Sequence, residues 1–99
     1  MIIVRDVFRL KFGKAKETKI LMQESKKIMS EDRLKKSRIL FDLVGPAYTM
    51  VLEGSYASLS DYEKEMASVF NMAEWQSWYQ KFIPLIEKSY REIFTVMET

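Results

Sequence analysis

Two hydrophobic rhythms alternate along this chain, and their order leaves few folds open to it. Residues 2–12 alternate with a period of two. Val4, Phe8, Leu10 and Phe12 fall on one parity, with Asp6 as the exception, and Ile3 and Val7 share the other with Arg5, Arg9 and Lys11. Residues 14–30 change to helical spacing, where Ala15, Thr18, Leu21, Met22, Ser25, Ile28 and Met29 share one face. Ser30 to Lys36 is polar and reads as a connection. Residues 37–44 and 47–56 are strand-like, and the Gly45-Pro46 turn between them predicts a hairpin. Ser60 followed by Glu63 reads as a capping box that opens a second helix carrying Leu59, Tyr62, Met66, Val69 and Phe70. A further helical piece runs from Ala73 to Phe82, ahead of Pro84, which disfavours helical geometry in the residue before it. Residues 89–97 read as the last strand.

The order is therefore β-α-β-β-α-β. Right-handed crossovers place both helices on one face of a four-stranded antiparallel sheet, the ferredoxin-like α+β plan, with one domain over residues 1–99. Helices on one side leave the other side to water, and that side should then be polar. It is not. The second strand carries Ile39, Phe41 and Leu43 on one parity and Leu40 and Val44 on the other; the last sets Ile93 and Met97 against Tyr90, Phe94 and Val96. A chain of 99 residues buries only about 60–65% of its unfolded surface, so it has no second layer of its own to offer. A second copy of the same sheet is the natural cover, and a homodimer is expected. Which parity meets the partner is open at this level.

The stretch Arg38-Ile-Leu-Phe-Asp-Leu-Val-Gly-Pro-Ala-Tyr-Thr-Met-Val-Leu-Glu, then Ser58-Leu-Ser-Asp-Tyr-Glu, Glu74-Trp-Gln-Ser-Trp-Tyr-Gln-Lys-Phe-Ile-Pro-Leu-Ile and Arg91-Glu-Ile-Phe-Thr-Val, resembles the dimeric α+β barrel superfamily, and within it the NIPSNAP-like proteins. The resemblance spans nearly the whole chain and rests on pattern, with no catalytic signature. It implies two sheets packed face to face across a two-fold axis and a cleft in each subunit between helices and sheet. The superfamily includes haem-degrading oxygenases, cofactor-free oxygenases, lactone isomerases and haem peroxidase relatives, so the resemblance does not fix a function.

The residue types missing from the chain narrow its chemistry. Cysteine is absent, which removes disulfides, thiolate nucleophiles and zinc–cysteine sites. Histidine is absent too, and with it the commonest general base, the commonest metal ligand and the usual axial ligand of haem. Asp42, Glu53 and Glu92 fall on strands with no spacing that marks a metal cage, so no cofactor and no metal are expected. Residues 1–49 carry twelve Lys and Arg against six Asp and Glu, while residues 50–99 carry four against eight. The basic half reads as a solvated helix face. The third strand lacks the basic, glycine-containing aromatic motif of an RNA-recognition domain, so no nucleic acid is expected. No apolar run is long enough for a membrane span, the N-terminus is charged too early for a signal peptide, and a cytoplasmic location follows by default.

Three functions remain. Seven Met and thirteen aromatic residues would make adaptable walls for an apolar or amphipathic small molecule, such as a fatty-acid-like or aromatic carboxylate. Trp75, Trp78, Tyr79 and Phe82 lie at i, i+3, i+4 and i+7 and are the expected wall of such a pocket, with Leu21, Ser25 and Ile28 beside them and Tyr48 also a candidate. Arg5, Arg9, Arg38 and Arg91 are candidate anchors for an acid head. The plainer reading makes the aromatics ordinary core and the arginines surface charges. The alternative is a cofactor-independent monooxygenase or isomerase acting on a small aromatic substrate, with Tyr48, Asn71, Trp75 and Trp78 orienting it and Asp42 or Glu92 as base. A ligand-free interaction module is the third.

Overall fold

The computed structural model describes residues 1–98. Strand β1 (Ile2–Leu10) leads into helix α1 (Ala15–Ser25) and a short helix α2 (Glu31–Lys36). The hairpin β2 (Ser37–Phe41) and β3 (Thr49–Tyr56) follows, then helices α3 (Leu59–Phe70) and α4 (Ala73–Phe82). A 3-10 turn over Ile83–Leu85 delivers the chain to β4 (Ile86–Thr95). The sheet order is β2-β3-β1-β4 with every neighbour antiparallel, as a ferredoxin-like α+β fold requires.

The register settles which parity faces the helices. Val4 lies opposite Gly54 and Ile93, and Phe8 opposite Met50 and Ser89. Val4 packs with Tyr56 and Tyr62, while Phe8 and Leu10 pack with Phe82, Met22 and Met50. Even positions of β1 therefore face inward, toward the helices. The inward positions form two clusters: a larger one around Leu10, Leu21, Met22, Met50, Trp78, Phe82 and Leu85, and a smaller one of Val4, Tyr56 and Tyr62. Tyr56 stands edge-on to Tyr62 at 5.0 Å and lies over Gly54, where a Cβ would come within 3.2 Å of its ring.

The opposite face is striped. One row across the strands reads Leu40, Val51, Val7, Tyr90; the next reads Arg38, Glu53, Arg5, Glu92. Arg38 Nη2 and Arg5 Nε contact Glu53 at 2.8 and 3.5 Å. Ile3 and Phe94 pair beyond the charged row, and Tyr90 and Phe94 are 60% and 45% exposed. The expected apolar second face is thus an apolar row and an apolar corner separated by alternating charges.

Several boundaries differ from the sequence reading, each for a local reason. The polar connection contains α2, because Ser30 caps it by accepting from the Arg33 amide, with acids in its first turn and cations in its last. α1 stops at Ser25, whose hydroxyl donates back to the Met22 carbonyl, and looser turns carry the chain to Met29. The hairpin turn is wider than Gly45-Pro46 alone. Asp42 accepts from the Thr49 amide at 2.9 Å, Tyr48 adopts a left-handed φ of 59°, and Leu43 and Val44 leave the sheet for solvent. The cap of α3 is Ser58, which accepts from the Asp61 amide, rather than Ser60. β1 ends at Leu10, leaving Phe12 exposed. β4 starts at Ile86, as soon as the turn through Pro84 ends, and stops at Thr95.

Candidate functional site

Between the sheet and the helices lies a cleft of about 330 Å3. α1 and the turn after it contribute Met22, Ser25, Ile28 and Met29; Leu52 of β3 forms part of the floor. α3 supplies Glu65, Ser68 and Val69, and Met72, Trp75 and Trp78 close the far wall. Ser30 and Arg33 of the α2 region complete the lining.

The tryptophan wall is held by a specific bond. Trp78 is buried, its Nε1 donates to the Leu21 carbonyl at 2.8 Å, and its ring stacks on Phe82 at 5.0 Å. That contact fixes α4 against α1. Trp75 is half-buried and stacks on Tyr79 at 4.7 Å, with Phe70 beside it at 4.8 Å. One face of each indole is thereby occupied by another ring.

The polar part of the lining is built around Glu65. Lys36 Nζ donates to Glu65 Oε1 at 2.6 Å, and Arg33 Nε lies 3.8 Å from Oε2, which is buried without a hydrogen-bond partner. Lys36 also sits 4.6 Å above the Tyr56 ring. Burial raises the Tyr56 phenol above the ordinary tyrosine range, and the charge of Glu65 raises it further, so it stays neutral. Farther along the sheet, Arg91 donates to Asp6 at 2.6 Å and lies over the Tyr62 ring. The bond to Asp6 raises the Arg91 pKa, and burial raises that of the Tyr62 phenol.

The structure brings Ser25, Ile28, Trp75 and Trp78 together around the cleft. Leu21 and Phe82 lie in the core behind it, and Tyr79 stands 38% exposed behind Trp75. Tyr48 is away from the cleft, at the sheet end, 5.1 Å from Phe12. Asn71 caps α3 outside the lining. Arg5, Arg9 and Arg38 belong to the open sheet face, and Arg91 is held by Asp6. Asp42 lies in the hairpin loop and Glu92 on the open face, so neither candidate base faces the tryptophans. Sequence reasoning missed Arg33, because the α2 stretch was read as a connection, and missed Glu65. The signal for Glu65 was present: Tyr62, Glu65, Val69 and Met72 follow at spacings of three and four.

A second depression, of about 600 Å3, lies at the β2 edge, where Lys19, Gln23, Lys26 and Arg38 rim Met22, Met29, Leu34, Ile39 and Phe41. Its one aromatic ring, Phe41, lies under Lys19 Nζ at 5.0 Å, and without the tryptophan wall it is the weaker candidate. Among the described residues, no helix is long and apolar enough to cross a membrane, and no group of three or more acidic side chains gathers as a metal cage would require.

No family model and no curated protein matches the chain. Solved structures do. A NIPSNAP family protein from Agrobacterium tumefaciens superposes with a TM-score of 0.88 at 22% identity, over 98% of this chain and 86% of that one. A NIPSNAP-like domain protein from Burkholderia xenovorans gives 0.87 at 21% identity, over 97% and 84%. A protein from Nitrosomonas europaea, proposed to be an antibiotic biosynthesis monooxygenase, gives 0.71 at 15% identity, over 99% and 100%. These likenesses establish the ferredoxin-like fold that the chain has in common with NIPSNAP family structures.

Proposed function

We propose that this chain is a NIPSNAP-like member of the dimeric α+β barrel superfamily, a homodimer whose subunits each bind an apolar or amphipathic small molecule, fatty-acid-like or an aromatic carboxylate. The observation that carries the binding reading is the cleft of about 330 Å3 walled by Trp75, Trp78, Met22 and Met72. Its size falls in the range of small-molecule sites, and thioether and indole walls adapt to irregular apolar shapes. The dimer reading rests on the open sheet face, where Tyr90 and Phe94 are large, apolar and substantially exposed.

A second reading, a cofactor-independent monooxygenase, is favoured by the fold likeness to the Nitrosomonas protein. It requires a base in the cleft, and Glu65 is the acidic residue in the lining. Lys36 already holds one oxygen of that carboxylate at 2.6 Å, and neither base expected from the sequence reaches the cleft. Binding is therefore the better-supported function.

Titration with a panel of apolar acids, followed by tryptophan fluorescence and melting temperature, tests the binding. A saturable fluorescence change with a rise in melting temperature is expected. A panel that leaves both untouched refutes it.

A further inference from the structure

We propose that Arg33 is the head-group anchor of this cleft and pairs with the carboxylate of an apolar acid whose body lies along Trp75 and Trp78. The inference rests on the cleft being a ligand site and adds what the ligand's polar end must be. Arg33 lines the cleft, and its side chain is only 18% exposed. Its nearest acidic contact is Glu65 Oε2, 3.8 Å from Nε, too long for a hydrogen bond. A guanidinium that lines the cleft with no carboxylate at hydrogen-bond distance has its donors open to an incoming anion.

Glu65 does not meet the need, because its single charge is shared. Lys36 holds Oε1 at 2.6 Å, so two cations face one carboxylate. The other acidic contact of Lys36 is Asp32 at 3.7 Å, which is 88% exposed and screened by solvent. The covered part of the cluster therefore keeps a surplus positive charge beside an apolar cleft. Guanidinium presents a planar fork that matches a carboxylate with two parallel bonds. Ser30 adds a second polar group: its oxygen accepts from the Arg33 amide, so its hydroxyl proton remains available to an acid oxygen. An ammonium head could reach Glu65 Oε2 but would meet the two cations, Arg33 and Lys36, that face that single carboxylate. A neutral alcohol would forgo the charge-assisted bond.

The test is a head-group series on one chain length: octanoate, octan-1-ol and octylammonium, each titrated into the full chain and read by tryptophan fluorescence and melting temperature. Octanoate should bind about tenfold more tightly than octan-1-ol, the scale of a hydrogen bond to a charged partner, and octylammonium weakest. Arg33→Gln should abolish the preference for octanoate over octan-1-ol. If octan-1-ol equals or exceeds octanoate in the unmodified protein, the Arg33 anchor is wrong and the cleft stands. If Arg33→Gln retains the octanoate preference, the anchor lies elsewhere. If none of the three binds, the cleft reading itself falls and takes the anchor with it. An Arg33→Gln chain that fails to fold leaves the unmodified series to decide.

Discussion

Replacing Phe94 by Asp separates the stability of the subunit from that of the proposed dimer. Phe94 lies on the open face of β4, opposite Ile3, and is 45% exposed in the single chain. A charge there can remain hydrated in a monomer, so the subunit should still fold. In a face-to-face dimer the same position is covered. A phenylalanine side chain presents roughly 200 Å2, so 45% exposure leaves about 90 Å2 for a partner to bury. At about 25 cal/mol per Å2 that is about 2 kcal/mol per copy, and symmetry counts it twice. The loss of about 4 kcal/mol raises the dimer dissociation constant about a thousandfold, before any cost of desolvating two carboxylates.

Sedimentation equilibrium over a concentration series reads this directly, and far-UV circular dichroism confirms that the variant remains folded. A folded Phe94→Asp monomer beside a dimeric parent is the expected pair of results. If the variant dimerises as tightly as the parent, the open face is not the interface. If the parent is itself monomeric at micromolar concentration, the open sheet face needs no second cover.

Three further substitutions probe the inside of the fold. Trp78→Phe keeps a ring against Phe82 but loses the bond to the Leu21 carbonyl and part of the indole, costing about 1–3 kcal/mol, which a thermal melt should show as a fall of several degrees. An unchanged melting temperature would mean that the bond does not hold α4 to α1. Gly54→Ala sets a methyl 3.2 Å from the Tyr56 ring, which Tyr62 and Val4 confine, and should destabilise by about 1–2 kcal/mol in urea unfolding; a neutral result would mean that Tyr56 is free to move. The raised Tyr56 phenol gives an alkaline signature. The unfolded chain ionises this group near its ordinary value of 10.0 and the folded chain only above that, so the contribution is complete below pH 10 and lost as pH rises past it. Tyr62 shifts in the same direction. Tyr56→Phe should flatten the fall in stability between pH 9 and 11 measured by denaturant titration; an equally steep fall would assign it elsewhere.

The architecture was legible because its signals are periodic. Val4, Phe8 and Leu10 share a parity, Thr18, Leu21, Met22 and Ser25 share a helix face, and both sets are inward in the structure. Boundaries were less legible, because single polar side chains set them. Asp42 and Tyr48 widen the hairpin, Ser58 advances the start of α3, and Ser30 turns a polar connection into a helix. The cleft was half legible. Spacing places Trp75 and Trp78 on one face with Tyr79 and Phe82, but it cannot tell the ring that borders a void from the ring that fills the core. Phe82 packs on Phe8 and Tyr79 covers Trp75, and both contacts depend on how α4 meets the sheet and its neighbours. Arg33 and Glu65 come from segments 32 residues apart and meet only through tertiary packing, so no local pattern joins them.

Native mass spectrometry of gently purified protein tests the central claim most directly, since it reads subunit count and retained ligand together. The account predicts a species of twice the 11.8 kDa chain mass that carries a small organic molecule on each subunit, or takes up octanoate with that stoichiometry when none is retained. A bare 11.8 kDa species that remains bare in the presence of octanoate would contradict both the dimer and the binding cleft.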